Sequence, residues 1–162
     1  MRIKVIEADY LNPQHEHDIQ FLLDTYAKDP MGGGEPLSAE VKNGVVNALS
    51  KIPHAFSIIA YIDEHPAGLV NGFEAFSTFK CKPLINIHDL AVIEKYRGLG
   101  LSQIMLKKVE EIAARKGCCK ITLEVLSGNE AAKASYKKFG FSGYELDPKA
   151  GKALFWQKQL LT

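Results

Sequence analysis

No run of this sequence approaches the roughly 18 consecutive apolar residues that a membrane-spanning helix requires, so no span is expected. The opening Met1-Arg-Ile-Lys-Val-Ile alternates charge with β-branched residues and lacks the apolar centre of a signal peptide, which predicts a cytoplasmic location. An excess of one charge is also missing. Twenty basic residues stand against 19 acidic ones, and no like-charge run resembles a tail. That balance gives no global field for nucleic acid or an acidic membrane, so any anion site must be local. Cysteine is scarce: Cys81, Cys118 and Cys119 are odd in number, and adjacent cysteines rarely bridge each other, so reduced thiols are expected. Cys118 and Cys119 follow Gly117 where a helix gives way to a strand, a position that favours core packing over nucleophilic catalysis. No metal site, internal repeat or linker is visible.

What is present suffices for one domain. A chain of 162 residues buries about two thirds of its unfolded surface without staples. Arg2 to Glu7 alternates in period two, as a strand does. Ile19, Leu22, Leu23 and Tyr26 fall at helical spacing between Gln14 and Ala27, and Asp29-Pro30 ends that helix. Met31-Gly-Gly-Gly34-Glu-Pro36 has no strand before it and no Gly-Lys-Ser/Thr ending, so it reads as a mobile connection and not as a phosphate loop. Ser38 caps a second helix, to Ser50. Ala55 to Ile62 and Ala67 to Ala75 form a hairpin about Asp63-Glu-His-Pro66, with Asn71-Gly72 marking a bulge or a close approach. Phe73, Phe76 and Phe79 read as core, or in part as pocket lining.

Leu84 to Val92 is the next strand. It feeds a turn with Gly98 and Gly100, then a helix to Lys116 whose stripe is Leu101, Ile104, Met105, Val109, Ile112 and Ala113. Strand, glycine turn and helix start together make a place for phosphate. Amides at a helix N-terminus lack intrahelical partners, the macrodipole is positive there, and glycine admits close approach. The amides of Leu99 to Ser102 can donate to a pyrophosphate, and Arg97 adds charge. Beyond it lie a strand from Lys120 to Leu126, a helix from Glu130 to Phe139, and two strands, Phe141 to Glu145 and Ala153 to Lys158. This order predicts an α/β (α+β) single domain, 1–162, with a mixed central sheet of about seven strands and about four helices.

Tyr96-Arg97-Gly98-Leu99-Gly100-Leu101-Ser102 resembles the acyl-CoA pyrophosphate loop of the GNAT N-acetyltransferases, whose pattern is Arg or Gln, two residues, Gly, one residue, Gly or Ala. Asn129, Ala132, Tyr136 and Gly140-Phe141 are similar to the family's second signature, Asn-x-x-Ala-x-x-x-Tyr-x-x-x-Gly-Phe. Ser102 departs from the pattern, but it is small and keeps its amide. The resemblance implies the GNAT fold, acetyl-CoA (coenzyme A) as co-substrate, and direct acetyl transfer to a primary amine. It also assigns residues. Leu90 and Val92, with Ala91 between them, occupy the strand segment that splays from its neighbour and presents backbone N–H groups to the thioester. Tyr136 matches the acid that protonates the leaving thiolate; a phenol with an ordinary pKa near 10 stays protonated at neutral pH.

The base is open between His88, which stands where relatives often carry a carboxylate, Glu124 on the adjacent strand, and water. Asp89 alternates to the other face and is expected to orient a neighbour. Asn129 caps its helix, meets coenzyme, or does both. Lys133 and Lys137 face solvent or meet the 3′-phosphate. The implied acceptor is a small-molecule amine such as a diamine, polyamine or amino acid. A protein N-terminal or lysine acetyltransferase and a non-catalytic acyl-CoA sensor are the alternatives, and a homodimer through the Phe155-Trp156 strand is possible. No nucleic-acid or membrane partner is expected.

Overall fold

The computed structural model describes residues 1–161. The backbone divides into two compact units, Met1–Leu123 and the residues from Glu124 onward. The first holds strands β1 (Ile3–Glu7), β2 (Ala55–Ile62), β3 (His65–Ser77), β4 (Lys82–Val92) and β5 (Ile121–Leu123), with helices α1 (Pro13–Lys28), α2 (Ala39–Ser50) and α3 (Leu101–Arg115). The strands form one mixed sheet in chain order, antiparallel except for the parallel β4–β5 pair.

Register sorts the side chains into two layers. Phe56, Ile58 and Ala60 line up with Gly68, Val70, Ile85 and Ile87 beneath α3. There a Cβ on Gly68 would lie 2.9 Å from Cε of Met105, so glycine lets the helix seat closely. Leu101, Met105, Leu106, Val109 and Ile112 are buried, and Leu106 takes the core position expected of Ile104, which is 39% exposed. On the opposite face Ile59, Tyr61 and Leu69 pack with Ile19, Leu22 and Val46 of α1 and α2. Buried Asp18 is paired there: it accepts from Tyr61 Oη at 2.7 Å and from Gln14 Nε2 at 2.9 Å. Burial first, and then that carboxylate, push the Tyr61 phenol well above its ordinary pKa.

Local signals set the ends of the helices. Asn12 caps α1 and Ser38 caps α2, each accepting backbone N–H groups of the first turn. The hairpin turns at Asp63 and Glu64, both at positive φ. Between Asn71 and Gly72 the β3–β4 register slips by one residue, the bulge expected there. A close approach occurs as well: a Cβ on Gly72 would stand 2.3 Å from the ring of buried Phe56. Of the three phenylalanines that follow, Phe76 and Phe79 are exposed, not core.

The Met31 to Pro36 tract is not an open connection. It folds back on α1 through a 3-10 turn, Pro30–Gly32, with Gly32 and Gly34 amides donating to the Asp29 carbonyl and Glu35 N–H to that of Ala27. Among the described residues the sheet has five strands, fewer than the number expected. In the second unit, α4 (Glu130–Phe139) forms as expected, but the two terminal strands are reduced to an isolated Glu145–Lys152 bridge around a turn capped by Asp147. Phe155 and Trp156 are exposed, and β-rich composition without a covered face does not sustain a two-stranded ladder. Among the described residues, no helix is long and apolar enough to cross a membrane.

Candidate active site

One extra residue organises the site. Asn71 pairs with Asp89 and Gly72 with Ile87, so His88 is the unpaired residue of a bulge in β4. The parallel ladder to β5 runs only from Ile85–Ile121 to Ile87–Leu123 and stops where the bulge begins. From Asp89 onward β4 therefore pairs with β3 alone. Ile93 N–H donates to Ala67 O at 2.9 Å, so antiparallel alternation turns the N–H groups of Leu90 and Val92 away from β3, toward the opened side, and that of Ala91 toward β3. The β4–β5 ladder thus ends just where the bulge begins.

The chain leaves β4 through a 3-10 turn, Glu94–Tyr96, and enters α3 across Gly98 and Gly100, at φ 77° and 79°. A Cβ at either glycine would meet nothing within 4 Å, so the requirement is conformational and not steric crowding. Gly100 opens α3 without a side-chain cap. Buried Leu101 anchors the helix start while Leu99 stays partly exposed. Ser102 takes its place in the first turn. Arg97 is engaged: its Nε donates to Val92 O at 3.1 Å and its Nη2 to Asp29 Oδ2 at 2.8 Å. That bond first, and Met31 N–H next, hold the Asp29 carboxyl below its ordinary pKa.

Beside the bulge a chain of hydrogen bonds crosses the α1/α2 face of the sheet. Tyr10 Oη lies 2.8 Å from Ser57 Oγ, which donates to Asn71 Oδ1 at 2.6 Å, and Asn71 Nδ2 donates to Asp89 Oδ2 at 3.0 Å. Because the Ser57 proton is committed to Asn71, Tyr10 is the donor at the first link, and every bond points toward Asp89. Ser57 and Asn71 are buried. Asp89 is the acceptor at the end of this chain. Burial first, and then the charges of Asp89 and Asp29, raise the Tyr26 phenol, so the last turn of α1 faces the same patch. His88 is exposed and stands edge-on to Phe73 at 5.9 Å, and His54 lies 6.2 Å from the same ring.

The first unit thus brings together His88, Leu90, Ala91, Val92 and Arg97 to Ser102. The second gathers the remaining residues by itself. Asn129 Oδ1 accepts from Ala132 N–H at 3.2 Å and so caps α4. Lys133 Nζ is 3.0 Å from Ser127 O and 3.1 Å from Glu130 Oε1, a local tie across the helix start. Tyr136 packs edge-on to Phe141 at 5.9 Å, just before Gly140 ends the helix at φ 114°. Glu124 is not on a strand: β5 ends at Leu123, because β4 offers it no edge beyond the bulge, and Glu124 is exposed. Sequence reasoning missed the Tyr10–Ser57–Asn71 chain and the Asp29 contact. Two polar residues inside apolar strands were the visible signal for the chain.

Comparisons with known proteins agree on the family. The model of the Acetyltransferase (GNAT) family matches residues 19–141. The thialysine N-epsilon-acetyltransferase of Caenorhabditis elegans is 33% identical over 105 residues, covering 60% of this chain and 64% of that one. The enzyme of the same name from Bos taurus is 39% identical over 66 residues, 41% of this chain and 38% of its own. The chain therefore spans less than two thirds of each of these relatives. A possible acetyltransferase from Clostridium difficile 630 shares the fold at a TM-score of 0.78, with 18% identity and 99% of both chains covered.

Proposed function

The chain belongs to the acetyltransferase (GNAT) family, and from that premise we propose that it moves an acetyl group from acetyl-CoA to a primary amine of a small molecule. The observation that carries this reading is the run of backbone from β4 into α3. N–H groups of Leu90 and Val92 turned to an open side come first, and two left-handed glycines at a helix start follow. The first can donate to a thioester oxygen as it gains charge, the second to a pyrophosphate.

Transfer is direct. The amine nitrogen, as the free base, attacks the thioester carbonyl carbon; the C–S bond breaks; the sulfur leaves as thiolate. The proton shed by nitrogen goes to His88, Glu124 or water, and the thiolate takes one from Tyr136. His88 is favoured as base by its exposure at the bulge, beside the opened strand. Asp89, at the end of a three-bond chain that reaches it through Asn71, suits a cationic acceptor, and the relatives' names point to an aliphatic amine.

The test is incubation with acetyl-CoA and a mixed amine library containing thialysine, diamines and amino acids, read by mass spectrometry beside thiol release. One or more monoacetylated small amines are expected. If acetyl-CoA stabilises the protein, by about 2.7 kcal/mol at a hundredfold excess over Kd, and no amine, peptide or lysine-rich protein is acetylated, the protein is a sensor and not an enzyme.

A further inference from the structure

We propose that Asp29 is a positioning residue for coenzyme binding: together with the Val92 carbonyl it fixes the Arg97 guanidinium, and so couples the coenzyme loop to the turn between α1 and α2. The inference rests on the coenzyme reading of Arg97 to Ser102. Arg97 and Asp29 are 68 residues apart, and their contact is a charge pair between the glycine loop and the α1–α2 connection.

Both ends of the contact are built for two tasks. Arg97 commits Nε to Val92 O and Nη2 to Asp29 Oδ2, two of the five N–H donors of a guanidinium, which fixes the plane of the fork. Asp29 is the hub of its turn. While Oδ2 holds Arg97, Oδ1 accepts from Met31 N–H at 2.9 Å, and the Asp29 carbonyl accepts from Gly32 at 2.8 Å and Gly34 at 3.0 Å. Gly32 is wedged under the turn: a Cβ there would fall 2.0 Å from the Tyr26 carbonyl oxygen, so the turn has little freedom to shift without carrying the end of α1. That end bears Tyr26, whose phenol is raised partly by the charges of Asp89 and Asp29. An anion that draws on Arg97 therefore acts on a carboxylate that organises the patch beside Asp89. Coupling of this kind is reciprocal: whatever the turn contributes to coenzyme affinity, coenzyme returns as stability of the turn.

The experiment is hydrogen exchange of the full chain with and without coenzyme A, read on the peptide holding the Met31, Gly32, Gly34 and Glu35 amides, with affinity measured by titration calorimetry. Coenzyme A is expected to slow exchange of that peptide by about 2- to 5-fold, the scale of a partly exposed ion pair. Asp29→Asn keeps an oxygen to cap Met31 but loses the charge; Arg97→Lys keeps the charge but loses the fork. Each is expected to abolish the protection and to weaken coenzyme A by a similar 2- to 5-fold, and the double variant to be no weaker than either single one. The proposal is overturned if coenzyme A binds the native chain and leaves the turn unprotected, or if Asp29→Asn binds like the native chain while Arg97→Lys does not. Absence of any calorimetric binding to the native chain sinks the coenzyme reading itself, and this coupling with it.

Discussion

The two halves of the first unit's site are built in opposite ways. On the proposed coenzyme side the groups offered are main-chain amides, set by two residues that have no side chain, Gly98 and Gly100. On the proposed acceptor side they are side chains in series, Tyr10 to Ser57 to Asn71 to Asp89, with the middle members buried. The contrast follows from what each half meets. A pyrophosphate is the same in every turnover and is satisfied by any rigid array of N–H donors, so backbone suffices. An acceptor has to be distinguished from other amines, which takes a carboxylate held in one orientation. Backbone conformation therefore matters most in the first half, where side chains such as Arg97 assist, and side chains matter most in the second.

A change outside both halves gives the largest effect and sets the scale. Tyr136→Phe is expected to lower kcat by about 10² to 10⁴ with acetyl-CoA affinity retained; an unchanged kcat removes Tyr136 as the acid. Next comes the buried chain. Asn71→Ala strands the Ser57 hydroxyl and removes a donor from Asp89, so about 1–3 kcal/mol of stability is expected to go in denaturant unfolding, and kcat/KM for the amine to fall while coenzyme affinity holds. Should coenzyme affinity fall equally, the two halves are not separable and the contrast breaks.

Gly100→Ala forces a side chain into φ near 79°, at a cost of about 1–2 kcal/mol, and is expected to raise the Kd of coenzyme A about tenfold by calorimetry. Ser102→Ala, beside it, leaves the amide in place and is expected to change that Kd less than about twofold. His88→Gln sharpens the assignment of the base: the acidic limb of kcat/KM is expected to move or vanish, and a limb identical in the variant transfers the proton to Glu124 or water.

The smallest effect is far from either half. Lys28 first, and then Leu37 N–H, hold Asp24 below its ordinary pKa. A depressed carboxyl stabilises the fold above its unfolded pKa, near 4, and that stability is lost as pH falls further through the folded value. Asp24→Asn is expected to lower the melting temperature slightly at pH 7 and to flatten the acid loss below about pH 4, so that the two proteins converge as pH falls.

Much of this was legible in the chain because it is local. The caps at Ser38 and Asn129, the helix 130–139, the strand 55–62 and the bulge at Asn71-Gly72 each follow from a few neighbouring residues. What was not legible depends on pairing at a distance. Composition marked Phe141 to Glu145 and Ala153 to Lys158 as strands, but a strand is a relation to a partner and a covered face, and among the described residues of this segment only one bridge forms. Glu124 failed as a strand residue for the same reason: the place where β5 ends is set by a bulge 36 residues earlier, in β4. The Met31 to Pro36 glycines read as slack, yet their amides close on Asp29, and the Arg97 contact across 68 residues leaves no periodic trace in sequence.

The bulge at His88 has the logic of a reading frame. Side chains on a strand alternate, so one inserted residue exchanges the faces for everything that follows: Leu90 and Val92 stand on the side of Ile85 and Ile87, where simple counting from Ile87 would have put Asp89 and Ala91. Pairing His88 with Asn71 in place of Asp89 would be a frameshift in space. It would turn Asp89 from Asn71 toward the layer under α3, point Leu90 at the polar chain, and offer β5 a continuous edge to zip along. A single residue, by failing to pair, ends the β4–β5 ladder beside the segment proposed to hold the thioester.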